Sequence, residues 1–255
     1  MKKIVLLYLL VCTAATLQAQ TGLDAMVNAE RRFAAHAVTH STMEAFLLNI
    51  DSSSLMFQQG KPIAAMEFWK QRTKNQSVLN WWPQYAEVSL SGDFGYTTGP
   101  WTYQAKASDT IAARGYFATV WYLNANREWK FLLDLGVDDV PPPADTSLHT
   151  ISGLSVPMAD DAAITRIFPM IAAENQYKQA LASGKYTTAA AFCSGQSVLL
   201  RNGQPAAATA DARKKMMGQT PKGIKYQLEG WNISSTPDIG YVYGTATYNG
   251  KAEGF

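Results

Sequence analysis

The sequence predicts an α+β protein of two tandem domains, each with N-terminal helices packed on an antiparallel sheet. Three observations predict it. Two halves of the chain match each other at a nearly constant offset. Within the first half, apolar residues recur first at helical spacing and then in strand-like runs. The composition is that of an ordinary folded chain, with 47% hydrophobic, 11% aromatic and 16% charged residues over 255 positions. At about 100–150 residues per domain, this length fits two units.

The repeat sets the boundaries. Asp93-Phe94-Gly95-Tyr96 recurs as Asp238-Ile239-Gly240-Tyr241, an offset of 145. Gly99 matches Gly244, and Thr102-Tyr103 matches Thr247-Tyr248, at that same offset. Upstream, Gln59-Gly60-Lys61-Pro62 matches Asn202-Gly203-Gln204-Pro205 at 143, and Glu30 with Phe33 matches Glu174 with Tyr177 at 144. Such drift is what short loop insertions produce, and the period is far too long for a solenoid. The first domain is assigned to 20–139 and the second to 161–255. Val140-Pro141-Pro142-Pro143 and the polar stretch after it make 140–160 a stiff linker.

Within the first unit, Leu23, Met26, Val27, Glu30, Phe33, Ala34 and Ala37 form one stripe of a helix. Ser41 with Glu44 fits a capping box and opens a second helix that ends near Ile50. A short strand at Leu55–Phe57, a turn at Gly60-Lys61-Pro62 and a third helix over Ile63–Arg72 follow. Strands are then expected near 84–91, 94–105, 114–124 and 129–136, separated by Gly, Asp and Asn turns. The second unit repeats this order from Ala163. Glu253-Gly254-Phe255 matches Arg114-Gly115-Tyr116, so the second sheet lacks its last two strands as given. The sequence is expected to be a fragment; otherwise another chain supplies those strands.

Residues 1–19 read as a secretory signal: Lys2-Lys3, an apolar run from Ile4 to Ala15, and Leu17-Gln18-Ala19 before the cut. The run is too short to span a bilayer, which takes about 20 residues. No later segment is longer, so the expected mature chain is secreted or periplasmic and free of the membrane. Val11 is bulky where a lipidated Cys12 would want a small neighbour. Cleavage leaves Cys193 as the only cysteine, and no disulfide within the chain. Apart from Lys2 and Lys3, 20 basic residues balance 20 acidic ones without a basic run, which gives no electrostatic basis for binding nucleic acid.

The run Phe57-Gln58-Gln59-Gly60-Lys61-Pro62, the stretch Trp82-Pro83 with Gly92-Asp93-Phe94-Gly95-Tyr96-Thr97-Thr98-Gly99, and Trp129-Lys130-Phe131 with Asp134-Leu135-Gly136 resemble the SnoaL-like group. More narrowly, they resemble the domain-of-unknown-function 4440 branch of the nuclear-transport-factor-2-like superfamily. The resemblance covers nearly all of 22–138 and, more weakly, 163–255. It implies a curved antiparallel sheet wrapped on helices as a cone, with a pocket at the wide end and frequent pairing through the outer sheet face. It says little about activity, because such a fold hosts isomerases, cyclases, dehydratases and plain binders.

Two acids are the candidate catalytic groups. Glu30 stands in the apolar stripe, where an ionised carboxylate must be paired or its pKa must rise. It is either a general acid or base at the pocket floor, or a carboxylate satisfied by a tryptophan, a tyrosine or backbone amides. Glu174 occupies the matching place in the second unit. Asp134 sits among Phe131, Leu132, Leu133 and Leu135; strict alternation puts it on the face of Leu132 and Lys130, aimed into the pocket or paired with Lys130 or Arg114. Asp93 and Asp238 are turn-capping residues.

Trp82, Trp101, Tyr116 and Trp121, with Glu174, are the candidate ligand-binding residues, because aromatic rings line apolar pockets and orient ligands through N–H and O–H groups. The strand from Tyr116 to Leu123 is apolar on both faces, so one face is expected on helices and the other on a partner sheet. That partner is the second unit or another molecule, the latter giving a homodimer. His36, His40 and Glu44 are spaced four apart, but the helix break at Ser41 spoils the register and no metal site is expected. No serine–histidine–aspartate order, phosphate loop or dinucleotide glycine pattern appears, so no cofactor is expected. Three functions remain: a binder of a small, mostly apolar molecule, an isomerase or cyclase with Glu30 or Asp134 as base, and a non-catalytic assembly domain.

Overall fold

The computed structural model describes residues 2–138, 149–152 and 163–254. The first half is α+β: α1 (Lys2–Thr39), α2 (Thr42–Asn49) and α3 (Ala65–Lys70) lie against a sheet built from β1 (Leu55–Gln58), β2 (Lys61–Ala64), β3 (Val78–Trp81), β4 (Tyr85–Val88), β5 (Phe94–Gln104), β6 (Ala113–Leu123) and β7 (Trp129–Asp138). α1 is one continuous helix, so it begins well before Leu23. Ser41 caps α2: its hydroxyl accepts from the Glu44 amide at 3.2 Å and donates to the Glu44 carboxylate at 2.8 Å. The expected turn at Gly60-Lys61-Pro62 falls one residue earlier. Gln59 and Gly60 both have positive φ (51° and 74°), the mirror-image turn that suits a two-residue hairpin. Lys61–Ala64 therefore becomes β2, paired with β1, and the third helix starts only at Ala65.

The sheet runs β2-β1-β7-β6-β5-β4, with β3 also on β5. It is mixed rather than purely antiparallel, because β1 lies parallel to β7. β3, which the strand pattern did not indicate, and β4 pair with opposite ends of β5. Pro83 lies in the gap between them, where a proline cannot donate to a ladder. Most of the linker at 140–160 lies outside the described residues. His149–Ser152, however, forms β8, a parallel strand beside β4 that covers what would otherwise be an open edge.

The apolar stripe of α1 packs into the sheet's inner face. Leu23, Met26, Val27 and Phe33 are buried with Phe46, Trp81, Phe117, Trp121 and Phe131 in one cluster. Phe33 is its hub, edge-on to Trp81 at 4.7 Å and to Phe46 at 4.8 Å between ring centroids. One irregularity matters for function. Between β6 and β7 the register jumps from Val120↔Leu133 to Trp121↔Phe131, leaving Leu132 as an extra residue, a β-bulge. Alternation is broken there, so Asp134 does not share the face of Leu132 and Lys130. It points inward with Phe131.

The second half holds α4 (Ala163–Ala182), α5 (Tyr186–Ala190) and α6 (Ala210–Gly218), then β9 (Lys225–Ile233), β10 (Gly240–Tyr248) and β11 (Lys251–Gly254) as an antiparallel sheet. Where the first half has the β1–β2 hairpin, a single bridge joins Leu199 to Ala207. Met26 Sδ lies over Gly95 and Met170 Sδ lies over Gly240, so the glycine of each Asp-x-Gly-Tyr motif meets a methionine of a long helix. β10 turns Tyr241 and Tyr243 onto the outer face of the first sheet, against Phe94 at 6.2 Å and Phe57 at 6.3 Å. The two Asp turns also meet. Asp238 accepts from the Leu90 amide at 2.8 Å, Asp93 accepts from the Ser235 hydroxyl at 2.7 Å, and the Ser91 and Thr236 hydroxyls lie 3.1 Å apart. Leu90 and Ser235, like Ser91 and Thr236, are 145 positions apart, so each turn presents the same positions to the other. Asp93 and Asp238 were expected to cap the backbone of their own turns; instead each accepts from the hydroxyl two residues before it, Ser91 or Thr236, and also binds across the contact.

The glycines make this packing testable. A Cβ on Gly95 would lie 2.2 Å from the Glu87 carbonyl oxygen, part of the backbone, whereas one on Gly240 would lie 2.6 Å from the flexible Met170 Sδ and 2.9 Å from the Asn232 carbonyl oxygen. Gly95→Ala is predicted to cost about 2–3 kcal/mol and Gly240→Ala about 1 kcal/mol, as overpacking does. Urea unfolding midpoints check this, and the reverse ranking would contradict the packing described.

Candidate functional site

A cavity of about 220 Å³ opens between α1, α2 and the inner sheet face. Its floor is Phe33, Phe46, Trp81 and Phe117, all buried; its rim is Met56, Trp69, Leu79, Trp101, Leu135 and Gly136. Among the described residues, Asp134 is the only acidic side chain on its wall. Protein surrounds this carboxyl, which nevertheless keeps partial access to solvent through the cavity. Thr119, directly across the β6–β7 ladder, donates to it at 2.7 Å. Burial pushes the Asp134 carboxyl up from its ordinary 3.8 to about 7, against the pull of the Thr119 hydroxyl, and the nearby Glu30 adds to the rise. Lys130 turns away to the Leu48 carbonyl at 2.7 Å, with Glu128 at 3.7 Å, and so does not pair with Asp134.

Glu30 is not at the cavity floor. It is fully buried behind the lining, and three side chains donate to it. Trp81 Nε1 reaches Oε1 at 2.5 Å, while Thr97 Oγ1 at 2.5 Å and Trp121 Nε1 at 2.9 Å reach Oε2. Trp121 Nε1 also donates to Thr97 at 3.0 Å. Burial raises the Glu30 pKa, and the three donors offset part of the rise. The sequence left two readings of this acid open, and the geometry selects the hydrogen-bonded core.

The expected ligand residues divide in the same way. Trp101 lines the cavity, its indole lying across Gly115 and Gly136, where any Cβ would crowd the ring, and its N–H donating to the Tyr116 carbonyl at 3.2 Å. Trp121 belongs to the Glu30 network instead. Tyr116 is buried on the opposite face of β6 and contributes to the site only its carbonyl. Trp82 does not line the cavity, and its buried indole N–H has no hydrogen-bond partner among the described residues. Glu174 stands in the second half, 3.7 Å from the buried Lys178, with its pKa raised by burial against the lysine's pull. Cys193 is half-buried beside the second hydrophobic cluster. His36 and His40 stack with ring centroids 4.0 Å apart, and among the described residues no group of three metal-ligating side chains occurs. Nor, among them, is any helix long and apolar enough to cross a membrane.

Phe33, Phe46, Met56, Trp69, Leu79 and Trp81 form most of the lining, yet none was singled out for binding from the sequence. In one dimension a lining aromatic looks like any core aromatic. Thr97 and Thr119 did carry a signal: each is a small polar residue on an otherwise apolar inner strand face, which is where a buried acid finds its donor.

No family model matches the chain, and no curated protein does. Solved structures similar to part of it include a Nostoc punctiforme protein of unknown function with a cystatin-like fold (12% identity, TM-score 0.36, 47% of this chain and 92% of that one). A candidate ketosteroid isomerase from Shewanella frigidimarina (16% identity, TM-score 0.34, 45% and 97%) and another from Parabacteroides distasonis (14%, 0.32, 43% and 82%) are similar to the same degree.

Two predictions follow from the acids. Glu30→Leu leaves the Trp81 indole N–H and the Thr97 hydroxyl without their acceptor and Trp121 with only Thr97, and is expected to cost about 3–5 kcal/mol in chemical unfolding; a loss below about 1 kcal/mol would contradict the network. Asp134 has a folded-state pKa above its unfolded value, so its contribution to stability is full below about pH 4 and is lost as pH rises through about 7. Unfolding midpoints of the wild type should fall between pH 5 and 8 by more than those of Asp134→Asn. Equal pH slopes would show that Asp134 is not the group described.

Proposed function

We propose that this chain binds a small, mostly apolar molecule in the aromatic cavity of its first half, with Asp134 as the group that orients it. The observation that carries this reading is a cavity walled almost wholly by aromatic and aliphatic side chains, with one carboxyl aimed into it from a bulged strand. Ligand sites commonly have that make-up, many apolar contacts and few polar ones. At about 220 Å³ the space suits a ligand of one ring or a short branched chain rather than a polycyclic one. The leader at 1–19 supports placing this binding outside the cytoplasm. The shared Met–Gly contacts and the matching turns support a SnoaL-like unit in each half; the second half has an open pocket of about 530 Å³ in a different place, lined by Gly184, Lys185, Tyr186, Thr187, Thr188, Lys214 and Gly218 rather than by a set of aromatic rings and a carboxyl under its first helix.

A second reading, an isomerase or cyclase, draws on one observation: a carboxyl whose pKa lies near 7 is poised to take or give a proton at neutral pH. Asp134 would be the base, not Glu30. Such chemistry also needs a donor for the developing oxyanion. The three lining tryptophans give their N–H groups elsewhere: Trp69 to Met56 Sδ, Trp81 to Glu30 and Trp101 to the Tyr116 carbonyl. Binding without turnover is therefore the reading the side chains favour.

Calorimetry with 4-methylphenol on the full chain and on Leu79→Trp tests the proposal. The wild type should take up the probe with a dissociation constant below about 1 mM, and filling the rim should weaken it at least about tenfold. No uptake, or uptake indifferent to Leu79→Trp, would contradict it. Deuterium exchange beside the carbonyl of small ketones, lost in Asp134→Asn, would instead establish the enzymatic reading.

A further inference from the structure

The side chains around the cavity also specify the charge of the ligand. Six aromatic rings line it: Phe33, Phe46, Trp69, Trp81, Trp101 and Phe117. Among the described residues, no lysine, arginine or histidine lines it, and Lys130, the nearest base in the sequence, is held at the Leu48 carbonyl. Two acids bear on the space, Asp134 on its wall and Glu30 behind Trp81. Every tryptophan N–H of the lining is already committed to a protein acceptor. An anion, or a molecule that can only accept hydrogen bonds, thus finds no side-chain donor except a protonated Asp134. A cation finds ring faces of negative quadrupole and a carboxylate.

From this we infer that the cavity binds a small organic ammonium ion, its charged head against Asp134 and its alkyl groups against the rings. This rests on the cavity-binding reading above and narrows it from apolar molecules to alkylammonium ions. The ion is attracted by the rings and the carboxylate together, and its arrival favours the ionised form of Asp134 over the protonated one. A compact quaternary or branched ammonium of fewer than about ten heavy atoms fits the volume, and desolvation of the head group is offset by contact on several sides. Binding of such a cation strengthens as pH rises through about 7, because Asp134 ionises over that range. A neutral carbonyl ligand would do the opposite, relying on protonated Asp134.

Choline and its neutral isostere 3,3-dimethylbutan-1-ol, which differ only by nitrogen for carbon at the centre of the head group, separate the possibilities. Their affinities for the full chain are measured by calorimetry and tryptophan fluorescence at pH 5.5 and 8.5. Choline is expected to bind at least about tenfold more tightly than the alcohol at pH 8.5, with that preference several-fold smaller at pH 5.5. Asp134→Asn should remove most of the preference by weakening choline at least several-fold more than the alcohol, and Trp69→Leu should likewise weaken choline more than the alcohol. Equal or tighter binding of the alcohol would overturn the ammonium assignment and leave the apolar-ligand reading standing. A preference unchanged in Asp134→Asn would overturn it too, since the carboxylate would then have no part. Binding of neither probe would overturn the ammonium assignment, and rejection of 4-methylphenol as well would overturn both readings.

Discussion

One buried carboxylate organises the first half of this protein. Glu30 lies on the inward face of α1 and accepts from Trp81 on β3, Thr97 on β5 and Trp121 on β6. A helix packed on a sheet through apolar contacts alone can slide by a turn at modest cost. A carboxylate with three fixed donors cannot, because every shift leaves buried polar atoms unpaired, at about 1–3 kcal/mol each. The network thereby sets the height of α1 above the sheet. Phe33 and Ala34, one turn on, then meet Trp81 and Phe46, and the space left under α2 is the cavity. Glu30 does not line the cavity itself; it holds these walls in place.

Asp134 has the complementary role, and a local irregularity gives it that role. Without the extra residue at Leu132, Asp134 would face outward with Lys130, as strict alternation predicts, and an exposed ion pair would be the natural outcome. The bulge reverses its direction and brings it opposite Thr119. Two acids of similar chemistry thus end in different states. One is surrounded by donors and cut off from the cavity; the other has a single donor, an open side and a pKa near neutrality.

The sequence made some of this legible. The helical stripe through Glu30, the Ser41 cap and the long strands of the meander are local patterns, and they stand where those patterns place them. The duplicated Asp-x-Gly-Tyr motif had a physical reason that only the coordinates supply: each glycine lies under a methionine of a long helix. Other features depend on contacts distant in sequence. Nothing near Leu132 announces a bulge, and nothing near Val78 distinguishes β3 from a loop, because both depend on which strands lie beside them. Trp121 and Trp82 were plausible ligand contacts as types, but their directions are set by the network and by the break at Pro83. The apolar outer face of β6 was expected to be covered, and on that side of the sheet Tyr241 and Tyr243 of the second half meet Phe94 of β5 and Phe57 of β1.

The claim that Glu30 forms a closed core network, rather than part of the binding site, is tested most directly by hydrogen exchange at the tryptophan side chains. With ¹⁵N-labelled tryptophan, the indole N–H groups of Trp81 and Trp121 should exchange only with global unfolding. Rapid exchange at Trp81 and Trp121, on the scale of an exposed indole, would mean that water reaches the Glu30 carboxylate and would contradict the account.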